Sequence, residues 1–312
     1  MSQSSSRAAE RDFKRSLSTR IGNLAKETKR SRDSIQFELV FQCFLHRVFT
    51  EATDATQWVL KGGTALLMRN GHGRFTQDID LARATNWENP DEIRREFEQI
   101  AQRKVHDPFT FSVTSVHTTS SPRPDGYATP TVEVKLEAKL GATVYHRIKI
   151  DVSVQRHTQA PMERVPIDPL LNQLTKDGGY DSFDIFATAI EAHLADKICA
   201  MYEIHHSGAS NRFHDLADII QIICTQNFSA AKLVNVLEHE ARRRSITWPT
   251  KLVLPSPEWE KNYKQNAPSY GLPVELYPLE ASLDFAGKCL DEVLQLQRIH
   301  GTWNYLRRIW ED

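Results

Sequence analysis

The sequence has no apolar run approaching the ~18 residues that a membrane-spanning helix requires, so nothing in it points to a membrane partner. Its first residues lack the apolar core of a secretory signal, and a cytoplasmic protein is expected. Cysteine is scarce: the four present, Cys43, Cys199, Cys224 and Cys289, are far apart and form no CxxC pair. They are expected to be buried free thiols in a reducing compartment rather than zinc ligands or disulfides. An excess of either charge is missing as well. Lys and Arg number 39 against 40 Asp and Glu, a net charge of −1, which gives no global basic field to attract nucleic acid. Two familiar phosphate loops, GxGxxG and GxxxxGK followed by Ser or Thr, do not occur.

What is present reads as an ordinary globular chain: 312 residues, 40% hydrophobic and 25% charged, long enough for one large domain or two smaller ones. Residues 1–33 are basic, with nine Lys or Arg against four acids. Their Ser-rich first dozen are expected to be disordered, and Leu17, Ile21 and Leu24 predict a helix over 13–30. "SIQFELVFQCFLHRVFT" (34–50) is apolar nearly all round, as in a helix packed on several sides. "QWVLKGG" (57–63) predicts a buried strand ended by a glycine pair, and "TALLMRN" a helix capped by Thr64. A strand over 74–83 and a charged helix over 90–104 follow. "TVEVKLEAKL" (131–140) and "TVYHRIKIDVSV" (143–154) alternate as an antiparallel hairpin with one buried face and Asp151 on the other. From about 160 the periods are helical, over 183–205, 212–226, 228–244 and 279–306. A Pro-, Trp- and Tyr-rich connection spans 247–278.

Chemistry concentrates between 61 and 83. A glycine pair between strand and helix lets a backbone approach an anion towards which helix N–H groups point, although a lone pair is more simply a tight turn. Asp78 and Asp80, two apart on a strand, share one face and repel each other, so they call for a cation. Oxygen-only ligands suit Mg²⁺. If Asp151 lies on the neighbouring strand, three carboxylates converge, a set able to hold two metal ions for in-line nucleotidyl displacement.

Strand, glycine pair, helix, DxD strand and a later strand aspartate together resemble the nucleotidyltransferase superfamily. Within it, "LKGGTAL" (60–66), "RFTQDIDL" (74–81), "HLADKICA" (193–200) and "RFHDLAD" (212–218), the last fitting R-x-x-D-x-x-D, resemble the AbiEii/AbiGii toxin family, including the mycobacterial MenT-type toxins. The resemblance spans about 34–225. It implies an α/β (α+β) fold with a nucleotidyltransferase core of mixed or antiparallel sheet and flanking helices (34–160), to which the charge and helical periods of the chain add a basic N-terminal tail and helix (1–33) and a mostly helical C-terminal region (161–312). It implies a catalytic set of Asp78, Asp80, Asp151, Lys197 and Asp215. Asp78, Asp80 and Asp151 would hold Mg²⁺, with Mn²⁺ as a substitute. Lys61, Gly62, Gly63, Thr64, Arg74 and Lys197 would contact the NTP. Asp151 is the weaker assignment, as metal ligand or general base. His214 stands where a basic residue often precedes the aspartate. The acceptor implied is the 3′ end of tRNA, whose extension blocks aminoacylation and growth. The partner implied is a cognate antitoxin, commonly a winged-helix protein of the AbiEi type.

Plainer roles stand beside these. Lys197 borders the stripe Ile190, Leu194, Ile198 and Met201 and could only snorkel from it. Asp215 and Asp218 could be solvated acids or partners of Arg212, and His193 a structural helix residue. Arg242, Arg243 and Arg244 end a helix, where cations suit the dipole, or else contact RNA phosphates. Two other functions share the motifs: nucleotidyl transfer to a small molecule or a protein side chain, and non-catalytic NTP binding by an interaction protein.

Overall fold

The structure is a computed structural model that describes residues 2–50, 58–71, 73–74, 76–85, 87–119, 131–154, 161–176, 178–205 and 208–312. It opens with α1 (Ser2–Thr28) and α2 (Arg32–Phe49). The helix of α1 thus reaches back through the dozen residues expected to be disordered. Its seam of Phe13, Leu17, Ile21 and Leu24 packs on the core, and Lys14 bonds Glu10 one turn earlier and Thr143 of the hairpin beyond. Ser31 caps α2 by accepting from the Ser34 N–H at 3.1 Å. As its all-round apolarity predicts, α2 is buried over most of its length.

The central sheet has seven strands in the order β3-β4-β5-β2-β1-β7-β6. They are β1 (Trp58–Lys61), β2 (Asp78–Arg83), β3 (Phe109–Thr119), β4 (Thr131–Leu140), β5 (Thr143–Val154), β6 (Met162–Ile167) and β7 (Phe183–Thr188). Strands β2 and β5, and β1 and β7, pair parallel, and the other neighbours pair antiparallel, so the sheet is mixed. Between the strands lie α3 (Gly62–Asn70), α4 (Pro90–Gln102) and the single turn α5 (Leu171–Leu174). One face of the sheet is apolar. Trp58, Leu60, Ile79, Leu81, Val134, Ile150 and Val152 pack there with residues of α1, α2 and α4. The pleat therefore sends Lys61, Asp78, Asp80, Lys149 and Asp151 to the other face.

The remainder is α6 (Ile190–Tyr202), the short β8 (Ile204–His205) and β9 (Gly208–Ala209), α7 (His214–Thr225), β10 (Phe228–Ser229), α8 (Ala230–Arg244), α9 (Glu258–Asn266), α10 (Leu279–Leu294), β11 (Thr302–Asn304) and β12 (Ile309–Glu311). These helices bury a second core, which α3 joins through Leu66. Further segments differ from expectation, among them that of β2, which begins at Asp78 rather than 74. Residues 183–188 form β7 rather than the start of a helix, and with β6 they carry the sheet past the expected boundary at 160. The connection 247–278 contains α9, whose Trp259 and Tyr263 are core residues. The last expected helix ends at Leu294, and the chain then forms a small sheet of β10, β11 and β12. Among the described residues no helix is long and apolar enough to cross a membrane. The four cysteines are free, three of them buried, as their spacing suggests.

Candidate active site

Strand register assembles the site. Asp80 lies between Lys61 of β1 and Asp151 of β5, and Asp78 lies beside Lys149. The third carboxylate thus stands directly beside the DxD pair. Lys149 sits among them, donating to Asp151 at 2.7 Å and lying 3.5 Å from Asp78. Its ammonium pKa is raised, mainly by the Asp151 bond. The Asp80 carboxyl is also raised, by burial first and then by Asp78 and Asp151, against the pull of Lys61 and Lys197. An acid pushed up in this way stays ionised at neutral pH only at a cost in stability. Lys149 was not singled out by its strand pattern. Alternation showed only that it shares a face with Asp151.

The glycine pair is explained by the same carboxylate. Gly62 has φ +63, and a Cβ there would collide with Asp80 Oδ2. Only glycine lets the DxD carboxylate lie against the first turn of α3. At Gly63 a Cβ would meet Arg74 at 3.1 Å, so that guanidinium lies over the turn. The helix opens at Gly62 with Lys61 as N-cap and no side-chain cap. Thr64 is not the expected cap; it is buried, and its hydroxyl donates to the Asp78 carbonyl at 2.6 Å. Thr64 therefore holds the first turn of α3 onto β2.

Arg74 links this turn to the helices. Its guanidinium bonds Asp218 at 2.7 and 3.1 Å. Lys197, on α6, lies 2.6 Å from Asp215 and 2.9 Å from Asp218, both on α7, and Arg212 donates to Asp215 at 2.6 Å. Lys197, Asp215 and Asp218 are each at most 3% exposed, so Lys197 does not snorkel and the two acids are not solvated. Burial alone would raise both carboxyls, yet Lys197 with Arg212 and Arg74 holds them below the usual range. All residues expected at the site thus form one connected neighbourhood. Arg243 and Arg244 do not belong to it as free cations: both pair with Glu240 and Asp196, and Arg244 also with Glu203.

The family model described as the nucleotidyl transferase AbiEii toxin of a type IV toxin–antitoxin system matches residues 43–286. The chain belongs to the AbiEii nucleotidyltransferase toxin family. No curated protein matches its sequence. Among solved structures, a proposed nucleotidyltransferase from H. pylori aligns at 13% identity and a TM-score of 0.48 over 86% of this chain and all of that one. JHP933 from Helicobacter pylori aligns at 14% identity and a TM-score of 0.45 over 86% of this chain and 95% of that one. For a nucleotidyltransferase toxin of this family, the face carrying Asp78, Asp80 and Asp151 is the candidate catalytic surface, and the Lys197 network lies against it.

The donor chemistry of that face fits Mg²⁺, though not as a finished cage. Among the described residues no three His, Cys, Asp or Glu side chains converge closely enough to hold an ion by themselves. Lys149 lies between Asp78 and Asp151, 3.5 and 2.7 Å from them. Mg²⁺ needs no such cage: it commonly uses one or two carboxylates, several waters and the substrate's own phosphates.

Proposed function

We propose that the chain transfers a nucleotidyl group from an NTP, with Mg²⁺, to the 3′ end of an RNA, tRNA by family resemblance, and so blocks aminoacylation. One observation carries the reading: the in-register placement of Asp80 beside Asp151, next to the turn at Gly62. Asp78 and Asp80 would hold the ion, with Mn²⁺ able to replace it. Once bound, the ion would neutralise the triphosphate and lower the pKa of an attacking hydroxyl, whose oxygen bonds to the α-phosphorus as the bond to the leaving pyrophosphate breaks.

The chain's own groups do the rest. Lys61, paired in register with Asp80, presents a cation at the mouth of the turn. The first N–H groups of α3 and the Arg74 guanidinium over Gly63 favour the negative charge of the phosphates. Asp151 accepts the proton of the acceptor hydroxyl or serves as a further ligand. Lys197 acts from behind: its ammonium, fixed by Asp215 and Asp218, adds positive potential at Asp80. A cognate antitoxin, winged-helix and AbiEi-like, and a cytoplasmic location complete the proposal. The test incubates the protein with total RNA, Mg²⁺ and each α-phosphate-labelled NTP in turn, beside Asp80→Ala. A tRNA-sized labelled band from the wild type alone is expected. Label on protein, on a small molecule or nowhere would contradict the RNA reading.

A further inference from the structure

A cavity of about 220 Å³ opens beside the site, between the sheet and the helices α6 and α8. Lys61 and Gly62 form part of its wall, so it adjoins the turn against which Asp80 lies. Pockets that enclose a whole small ligand run about 300–1,000 Å³, so this one has room for part of a nucleotide.

Its polar groups are unusual. His193 lines the cavity, is 3% exposed, and neither ring nitrogen has a hydrogen-bond partner among the described residues. The hydroxyl of Thr188, also on the wall, is buried without a described partner. Buried polar groups normally find partners, and here two residues of the cavity wall carry polar atoms without one. Burial and the nearby Lys197 push the His193 pKa down to about 3, so the ring is neutral and offers one donor and one acceptor. Asp196 and Glu240 also border the space, but their charges are met by Arg243 and Arg244. A neutral heterocycle with mixed donors and acceptors would meet His193, Thr188 and, at the exposed mouth, the amide of Asn235. Ala192 and Val236 supply apolar contact.

We propose that this cavity receives the base of the donor NTP and that His193 determines which base is accepted. The inference rests on the nucleotidyl-transfer reading. It places the phosphates at the Asp78–Asp80 face and the base on the far side of Gly62.

Equilibrium binding of the four NTPs and of inorganic tripolyphosphate, with Mg²⁺, to the full chain tests it. The wild type should prefer one base by about tenfold or more. His193→Phe, which keeps the ring volume but removes donor and acceptor, should level the four affinities and leave tripolyphosphate binding unchanged. Val236→Trp, which fills the cavity, should reduce every NTP to the affinity of tripolyphosphate, and it carries the test if His193→Phe does not fold. Variants that melt like the wild type and keep its base preference overturn the cavity assignment while leaving nucleotidyl transfer standing. A wild type that binds neither NTP nor tripolyphosphate overturns both.

Discussion

Asp80 is held at the site against its own preference. Burial and the neighbouring Asp78 and Asp151 raise its pKa, so the folded protein would be more stable with a neutral group there. Asp80→Asn should therefore melt higher than the wild type, on the order of 2 °C for each kcal/mol relieved in a chain of this size. Differential scanning calorimetry checks it; a clearly lower melting temperature would show that Asp80 is a structural support. The two glycines should separate in the same way. Gly62→Ala forces an L residue to positive φ, about 1–2 kcal/mol, and drives Asp80 from its place. Transfer should fall on the order of 10²-fold, the usual result of misplacing a reacting group by about an ångström. Gly63→Ala meets Arg74 at 3.1 Å and Thr76 Oγ1 at 3.4 Å, side-chain contacts without a positive φ, and should cost much less. Assays of transfer by both variants decide it, and equal losses would contradict the distinction. At this scale the sequence was informative: two carboxylates on one strand face and a glycine pair are local patterns. Lys149 and His193 were not legible as site residues, because what matters about them is the partner each has or lacks, and partners come from distant strands and helices.

Helices α6 and α7 are joined by charge as well as by apolar contact. Lys197 stands between Asp215 and Asp218 with almost no access to water. Removing one member of such a group strands the others, which typically costs about 3–5 kcal/mol. Lys197→Met should therefore lose stability of that order in a denaturant titration, and its loss of activity will partly reflect unfolding. An unchanged midpoint would argue that the network is decorative. The acids give the network a pH signature. Their folded pKa values lie below the ordinary 3.8, so the unfolded chain binds protons first. Their stabilisation is complete above about pH 4 and is lost as the pH falls through the folded values. Lys197, raised above 10.5 by the same contacts after burial has lowered it, loses its share only in strong alkali. Melting temperatures from pH 7 to 3 should drop steeply below 4 in the wild type and less steeply in Asp218→Asn. The elements themselves were unevenly legible. The β4–β5 hairpin alternates cleanly because one face is core and the other is not. Strand β3 breaks its alternation at the register shift between Val113 and Ser115, which puts Val116 in phase with Val134. Strand β7 runs almost directly into α6, and its pairing to β1 through Leu60 and Ala187 is remote in sequence.

As a whole molecule, the chain sets a polar sheet face against a helical layer, with Arg74 and the Lys197 network connecting them. A ligand held by that face should stabilise the entire fold. Mg²⁺ with an NTP at a hundredfold excess over its Kd should add about 2.7 kcal/mol, seen as a raised melting temperature. The increase should vanish in Asp80→Asn. The general architecture followed from the family resemblance, with the β4–β5 hairpin the one strand pairing read from the residues themselves. The passage of the sheet beyond residue 160 did not, since β6 and β7 are short segments next to helical periods. The proposed function has the carboxylate face transfer the nucleotide. Its most direct test is the single-turnover rate of label transfer from an α-phosphate-labelled NTP to RNA, by the wild type and by Asp80→Asn, with melting curves recorded on the same samples. The expected result is a variant folded at least as stably and slower by on the order of 10²–10³ or more. A folded variant that transfers at the wild-type rate would contradict it.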